Sequence, residues 1–280
     1  MKMDVKQGVA DLLEQVRTRS PLVHHITNYV TANDCANIVL ALGGSPIMAD
    51  AIEEVSEMVS ISSALVLNMG TLNARTVDSM LVAGKMANRQ GIPIVLDPVG
   101  AGATSFRSHI ADRIINEMDI AIIRGNISEI KAISGIGHNT KGVDASDDDI
   151  AQLGDLKYVE AIGKGLSNRL GCVVAITGVT DTITNGAETY FIDNGHEMMS
   201  RVTGTGCMCT SLIGAYCGVT DDYLLAAAAG VLTMGLAGEI GYEKLTSRDD
   251  GSGSFKIKIM DSVYQMKGKD ILERGELYAG

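Results

Sequence analysis

A glycine-rich turn at residues 203–207 has the residue types best suited to chemistry on an anion. The turn reads TGTGC and leads directly into an apolar stretch of small residues that continues to Tyr216. A helix that begins in such a turn leaves its first backbone N–H groups free, and the positive end of its dipole points at the same place. The pattern predicts a site for a phosphate, or for charge developing on a phosphoryl group in transfer. A helix start that simply requires glycine is the alternative, and the missing Gly-Lys-Ser/Thr ending excludes a P-loop.

Two acidic residues near the ends of apolar runs are suited to hold a metal ion. Asp97 precedes a proline and a glycine-rich turn, and Glu129 follows three residues after Asn126. Mg²⁺ prefers hard oxygen ligands, keeps several waters and bridges phosphates in kinases. Glu129 also fits a capping box with Asn126 as N-cap, and the two interpretations are compatible. Arg124 is suited to contact a nucleotide phosphate, or alternatively to pair with a carboxylate at the sheet edge.

Four short apolar runs predict the strands that would position these residues. The segments between them show helical patterns, so strands and helices alternate, which predicts a parallel sheet with right-handed crossovers. Each run stops at a polar residue with a glycine nearby, and ligands of open α/β sheets bind beyond the carboxyl ends of the strands. We expect one domain over residues 1–280. The four runs are residues 64–67, 93–96, 120–123 and 172–176, and the helical patterns cover 73–90 and 108–117.

Composition and charge narrow the class of partner. The chain has 280 residues and a formal net charge of −11, which argues against nucleic acid and against an anionic membrane surface as partners. Its five cysteines form no C-x-x-C pair, so we expect reduced thiols and a cytoplasmic protein, with neither a disulfide framework nor a zinc site. The apolar stretch 224–238 is shorter than a membrane span of about 20 residues, so we expect a buried helix capped by Thr220. The acidic stretch 144–149 is expected to be a solvated turn.

Taken together, the motifs resemble those of the hydroxyethylthiazole kinases, a family of the ribokinase-like group. The likeness runs from about Ser20 to Phe255, nearly the whole chain, and the motifs follow the order found in that family. It is carried by PLVHHITN at 21–28, ALGGSPIMA at 41–49, LNMGTL at 67–72, LDPVGAGA at 96–103, IRGN at 123–126, AITG at 175–178 and TGTGC at 203–207.

The resemblance implies a ribokinase-like α/β fold with a central, mostly parallel sheet flanked by helices on both faces. It implies ATP-dependent phosphorylation of the primary hydroxyl of 4-methyl-5-(2-hydroxyethyl)thiazole, in thiamine biosynthesis or salvage. The cofactor would be Mg²⁺, and the assembly a homotrimer with active sites where subunits meet. The residues implied are Cys207 for catalysis; Met48, Gly204 and Asn28 for the thiazole alcohol; Arg124 and Thr177 for ATP; Gly204, Thr205, Gly206 and Cys207 for an anion hole; and Asp97 and Glu129 for the metal.

Cys207 departs from the wider ribokinase-like group, in which many kinases have aspartate at this position, but it matches the thiazole kinases. We expect a thiol at a helix N-terminus to have a lowered pKa and to accept or orient the proton of the attacking hydroxyl. A small buried residue at a helix start is the alternative. For the whole protein, two other functions stay open: a kinase for a related vitamin alcohol (hydroxymethylpyrimidine or pyridoxal), and a non-catalytic thiazole or nucleotide sensor.

Overall fold

The computed structural model describes residues 4–135 and 155–280, so the acidic stretch 144–149 lies outside the described residues. The described chain forms a nine-stranded sheet covered by helices. The strands are β1 Leu22–Ile26, β2 Ser45–Met48, β3 Ala64–Asn68, β4 Ile94–Asp97, β5 Ile122–Asn126, β6 Val173–Thr177, β7 Asp181–Thr184, β8 Thr189–Ile192 and β9 Leu277–Ala279.

Between β3 and β6, the helices of the described residues follow the alternation that the sequence predicts. They are α1 Val5–Arg19, α2 Ala32–Leu42, α3 Val55–Ser60, α4 Ala74–Gln90, α5 Ser105–Glu117, α6 Ile127–Ser134, α7 Leu156–Leu170, α8 Thr205–Cys217, α9 Tyr223–Glu243, α10 Ser252–Gln265 and α11 Gly268–Arg274, with a short 3-10 helix at Glu197–Arg201.

The sheet is mostly parallel and becomes antiparallel at one side. Its order is β2-β1-β3-β4-β5-β6-β7-β8-β9, and every pairing from β2 to β6 is parallel. The three pairings from β6 to β9 are antiparallel. The predicted mostly parallel sheet is therefore confirmed, and the antiparallel strands β7, β8 and β9 are an addition that the apolar runs do not predict.

Burial on both faces explains why the central strands are continuous apolar runs. Along β3, Leu65 and Leu67 pack into the core on one face of the sheet, whereas Ala64 and Val66 pack into a second core on the other face. Side chains of a strand alternate between faces, so a strand covered by helices on both sides needs apolar residues at every position. This packing fixes the places where the strands end, and hence the places where polar residues can begin.

The apolar helix α9 is longer than the sequence predicts and has a different cap. Its N-cap is Asp222, whose side chain accepts a hydrogen bond from the Leu225 N–H group, so the prediction of Thr220 as the cap is wrong. The Thr220 hydroxyl instead accepts a hydrogen bond from the N–H of Asp222. Within the described ranges, α9 is the one helix long and apolar enough to cross a membrane, and 89% of its apolar window is buried inside the protein.

Candidate active site

The carboxyl ends of four parallel strands bring the polar residues of the predicted site to one edge of the sheet. Asn68 at the end of β3 is the register partner of Asp97 at the end of β4. Asn126 at the end of β5 is likewise the partner of Thr177 at the end of β6. Adjacent strand ends are about 5 Å apart, so side chains that are far apart in sequence become neighbours here.

The TGTGC turn meets this edge as the start of helix α8. Gly204 is the N-cap residue, with φ +90°, a left-handed conformation that favours glycine. A Cβ atom at Gly204 would also lie 2.6 Å from Cγ2 of Thr31. No side chain of the described residues caps the helix, so the first N–H groups are available to an anion, as the geometry of a helix N-terminus allows.

Two clefts meet at the start of α8. One, of about 610 Å³, includes Thr177 and Val179 and extends to helix α9. The other, of about 680 Å³, includes Asp97 and Cys207. The clefts share three of the predicted site residues, Arg124, Thr205 and Gly206. Two ligands bound in these clefts would therefore face each other across the helix N-terminus.

Asp97 is fully buried at the floor of the second cleft. Its Oδ2 accepts hydrogen bonds from Nδ2 of Asn68 at 2.9 Å and from the Thr210 hydroxyl at 2.8 Å. Its Oδ1 has no hydrogen-bond partner among the described residues. Burial raises the pKa of the Asp97 carboxyl, against the opposing effects of Arg124, Thr210 and Asn68. A buried carboxylate with one free oxygen favours the approach of a cation.

Glu129 forms the capping box predicted from the sequence. Asn126 accepts a hydrogen bond from the Glu129 N–H group, and Oε2 of Glu129 accepts one from the Asn126 N–H group at 2.9 Å. The second oxygen, Oε1, accepts a hydrogen bond from the N–H of Gly100 at 2.8 Å. Burial, and then the charge of Asp97, raise the pKa of Glu129 to about 7. Glu129 thus helps to cap helix α6 and also lies beside Asp97 in the second cleft.

Arg124 lies where the two clefts join, as both of its predicted roles require. Its Nη2 donates a hydrogen bond to the Thr177 hydroxyl at 2.6 Å, and its Nη1 lies 4.0 Å from Oδ2 of Asp97. Its Nε has no hydrogen-bond partner among the described residues. The guanidinium therefore combines the carboxylate pairing with a position from which it can reach a phosphate.

Cys207 is half-buried in the second cleft, but its thiol is not activated as the sequence suggests. Its Sγ accepts hydrogen bonds from Nδ2 of Asn68 at 3.2 Å and from Nδ2 of Asn28 at 3.4 Å. Burial, followed by the negative charge of Asp97, raises the pKa of the thiol. The predicted lowering of this pKa is wrong, because desolvation and a nearby carboxylate outweigh the groups that favour a thiolate.

Of the residues that the resemblance assigns to the thiazole alcohol, Asn28 and Gly204 line the second cleft, whereas Met48 lies elsewhere. Asn28 is buried, and its amide is committed to neighbours: Nδ2 donates to Asn68 and Cys207, and Oδ1 accepts from the N–H and hydroxyl of Thr31. Met48 is 39% exposed and lines a separate small cleft next to Tyr29. The described chain therefore does not bring Met48 together with Gly204.

Three side chains of the site were missed by the sequence-based assignment of roles. Asn68 contacts both Asp97 and Cys207. Arg107 donates to the carbonyl groups of Met69, Gly70 and Val99, and so holds together the turns after β3 and β4. Asp181 lines the first cleft. The position of Asn68 at the end of an apolar run was a usable signal, whereas nothing in the local sequence marks Arg107 or Asp181.

Asp181 provides a test of how burial affects stability at this edge. Burial raises its pKa from 3.8 to about 7, while the Gly178 N–H group donates to its Oδ1. The free energy of unfolding therefore falls as the pH rises between these two values, because this carboxyl group ionises at a lower pH in the unfolded chain than in the folded protein. We expect Asp181→Asn to raise the melting temperature at pH 8 by at least about 2 °C, with a smaller gain at pH 5. Thermal unfolding measured from pH 5 to 8 checks this, and a gain that does not depend on pH would contradict it.

The sequence and the fold of this chain are both similar to those of known proteins. The model of the hydroxyethylthiazole kinase family matches residues 13–269. A hydroxyethylthiazole kinase of Clostridium botulinum (strain Alaska E43 / Type E3) is 50% identical over 274 residues, covering 98% of this chain and 97% of that protein. The structure of a hydroxyethylthiazole kinase from Pyrococcus horikoshii OT3 superposes with a TM-score of 0.86 at 36% identity, covering 98% of this chain and 99% of that one. A ribokinase-like superfamily protein from Enterococcus faecalis V583 shares the fold, with a TM-score of 0.59 at 13% identity, covering 92% of this chain and 95% of that one.

Proposed function

Because this chain belongs to the hydroxyethylthiazole kinase family, we propose that it transfers the terminal phosphoryl group of ATP to the primary hydroxyl of 4-methyl-5-(2-hydroxyethyl)thiazole. The observation that carries the proposal is the full-length similarity together with two clefts that meet at an uncapped helix N-terminus. Products of the reaction are ADP and the phosphate ester, and the hydroxyl proton leaves the acceptor.

In this proposal, ATP occupies the first cleft and the alcohol occupies the second. Thr177 and Arg124 lie at the inner end of the first cleft, so they would contact the phosphates, and the side of that cleft near α9 would receive the base. The free N–H groups at residues 205–207 would then stabilise the charge on the phosphoryl group as it moves between the clefts. Loose phosphoryl transfer depends mainly on such positioning and charge stabilisation.

The carboxylates of Asp97 and Glu129 fit a magnesium ion bound together with ATP. Oδ1 of Asp97 is buried and has no hydrogen-bond partner in the described part of the chain, and burial raises the pKa of both carboxyl groups, so the site is short of positive charge. Among residues 4–135 and 155–280, no group of three or more His, Cys, Asp or Glu side chains could hold a metal ion. Mg²⁺ commonly takes one or two carboxylates and completes its shell with phosphates and water. When bound, it would neutralise charge on the transferring phosphate.

A protonated Cys207 is better suited to orient the acceptor hydroxyl than to remove its proton. Two amide N–H groups already point at its Sγ, from Asn28 and Asn68. The same two donors would suit a carboxylate at this position even better, because hydrogen bonds to a charged acceptor are stronger. An aspartate at position 207 could therefore take over the role of the thiol and also act as a base.

We expect Cys207→Ala to lower kcat by about 10- to 100-fold yet leave measurable turnover, and Cys207→Asp to retain activity. General-base assistance typically contributes about 10²–10⁴-fold, and a neutral thiol supplies less than that. Steady-state release of ADP with the thiazole alcohol measures both variants, with melting temperatures as the control for folding. A folded Cys207→Asp protein without any activity would show that the proposed role is wrong.

A single assay distinguishes the proposed thiazole kinase activity from two other functions. A kinase for hydroxymethylpyrimidine or pyridoxal would release ADP preferentially with those alcohols. A sensor would bind ATP or the thiazole alcohol without turnover, although a binder has no need of buried carboxylates beside an uncapped helix N-terminus. We expect ADP release to be fastest with the thiazole alcohol and to be lost when Mg²⁺ is removed with EDTA. Tight binding with no turnover for any of the three alcohols would instead support the sensor.

The same proposal includes a homotrimer in the cytoplasm with active sites where subunits meet. Two things support this assembly: the membership of the family, and the position of Met48, which lines a separate cleft together with the exposed ring of Tyr29. A second subunit packed on this surface would cover apolar side chains and close the site from water. Sedimentation velocity of the purified protein measures the subunit number directly.

A further inference from the structure

One amide side chain joins the two halves of the site. Asn68, at the end of β3, is only 2% exposed. Its Nδ2 donates to Oδ2 of Asp97 at 2.9 Å and to Sγ of Cys207 at 3.2 Å. Asp97 belongs to the side of the site proposed for the metal, and Cys207 to the side proposed for the alcohol. Asn68 is thus in hydrogen-bond contact with both.

The orientation of this amide is fixed by its other contacts. Its Oδ1 accepts hydrogen bonds from Nδ2 of Asn28 and from the N–H of Gly70, each at 2.9 Å. An amide has two N–H donors and one oxygen with two lone pairs, so all four hydrogen-bonding positions of Asn68 are used. Turning the amide over would place N–H groups against the N–H groups of Asn28 and Gly70 on one side, and its oxygen against Oδ2 of Asp97 on the other. The network therefore allows one orientation only.

We propose that Asn68 is a positioning residue for the phosphoryl transfer, which couples the placement of the Cys207 thiol to the placement of the Asp97 carboxylate. By occupying Oδ2 of Asp97, Asn68 and the Thr210 hydroxyl leave Oδ1 for a cation. By donating to Cys207, the same amide holds the thiol beside the start of α8. Asn68 acts through these two groups, and this inference rests on the function proposed above.

Asn68→Asp is the variant that separates positioning from packing. Aspartate has the shape of asparagine and can still accept hydrogen bonds from Asn28 and Gly70, but it no longer offers the two N–H donors. Asn68→Ser, whose side chain is too short to span both contacts, is a second variant in case the added charge beside Asp97 prevents folding. Thr210→Val is the matched control, because it removes the other donor to Asp97 and leaves the contact to Cys207 intact.

The first measurement is the rate at which iodoacetamide alkylates Cys207 at pH 8, which needs no substrate. Cys207 is half-buried, whereas the other four cysteines are buried, so the early modification reports on it. The Asn68 hydrogen bond favours the thiolate, the form that reacts. We expect alkylation to slow by about tenfold in Asn68→Asp and by at least about threefold in Asn68→Ser, but to change less than about threefold in Thr210→Val, because only the first two variants lose the donor that favours the thiolate.

The second measurement is a double-mutant cycle on kcat with Cys207→Ala. We expect Asn68→Asp to lower kcat by about 10- to 100-fold in the wild-type background, with the dissociation constants of an ATP analogue and the thiazole alcohol changed far less. In the Cys207→Ala background the same substitution should cost at least about threefold less, because one of the two groups through which Asn68 acts is already gone. A residue that only supports the fold would give equal effects in both backgrounds.

The two measurements distinguish failure of this inference from failure of the proposed function. Unchanged alkylation in folded Asn68→Asp and Asn68→Ser proteins would overturn the inference, and so would equal effects on kcat in both backgrounds. A wild-type protein without turnover of the thiazole alcohol would count against the kinase proposal alone. The alkylation rates would then decide the role of Asn68.

Discussion

Asp97→Asn should lower kcat by about 10²–10³-fold while leaving the protein folded. Asparagine has the same shape, and its oxygen can still accept the hydrogen bonds that Asn68 and Thr210 donate to Oδ2. What is lost is the charge that would hold the metal and balance Arg124, whose Nη1 lies 4.0 Å away. Removing one preorganised electrostatic group from an active site typically costs about 3–4 kcal/mol of barrier stabilisation.

The stability of this variant should move in the opposite direction from its activity. Burial raises the pKa of Asp97, which means that the folded protein holds the carboxylate at a cost in free energy. A neutral amide removes that cost, so we expect the melting temperature of Asp97→Asn at pH 8 to equal or exceed that of the wild type. Activity and thermal unfolding measured on the same preparation check both parts.

The matched control for Asp97→Asn is Asp181→Asn, which makes the same change at another buried carboxyl of the sheet edge. Oδ1 of Asp181 accepts a hydrogen bond from the N–H of Gly178, and among the described residues neither Asn68 nor Thr210 donates to it, since both donate to Asp97. We expect its kcat to stay within about tenfold of the wild type, a barrier difference of about 1.4 kcal/mol. Equal losses in the two variants, or an Asp97→Asn protein with nearly full turnover, would show that Asp97 has no special role.

The parallel half of the fold was predictable from sequence because burial on both faces leaves a clear pattern. The four apolar runs match β3 to β6, with the largest difference at the end of β5, which continues to Asn126 beyond the predicted run 120–123. The antiparallel half left no such pattern. Strands β7 and β8 are four residues long, include several threonines, and complete their sheet with β9 from the far end of the chain. Pairing across more than 80 residues depends on tertiary contacts that a local window does not contain.

The candidate site was predictable in its members and less so in its electrostatics. Asp97, Glu129, Arg124 and Cys207 were each identifiable from a strand end or a helix start, and they do meet at one place. The direction of the pKa shift of Cys207 was not predictable. The helix start, which would lower this pKa, is a local feature, whereas burial and the carboxylate of Asp97, which raise it, come from the fold. Asn68 was visible as a polar strand end, but its importance comes from contacts with residues 40 and 139 positions away.

The Arg124 guanidinium lies in the space that a side chain at Gly206 would need. A Cβ atom there would lie 2.5 Å from Nη1 of Arg124 and 3.1 Å from its Nη2. Real side chains do not tolerate such distances, so the guanidinium would have to move away from the start of α8. It would then lose its hydrogen bond to Thr177, which lines the first cleft. Glycine at this position is therefore required by the site and not by the helix.

Gly206→Ala should lower kcat/KM for ATP by about 100-fold without destabilising the protein. Displacement of a positioning group by about 1 Å can cost this much in rate. Alanine is a better helix residue than glycine by about 0.5–1 kcal/mol, which offsets the local strain. Gly165→Ala is the matched control, because Gly165 lies inside helix α7 with no atom within 4 Å of the added Cβ. We expect that control to keep wild-type kinetics and gain stability, so a Gly206→Ala protein with equally unchanged kinetics would mean that Arg124 does not need its observed position for ATP to react.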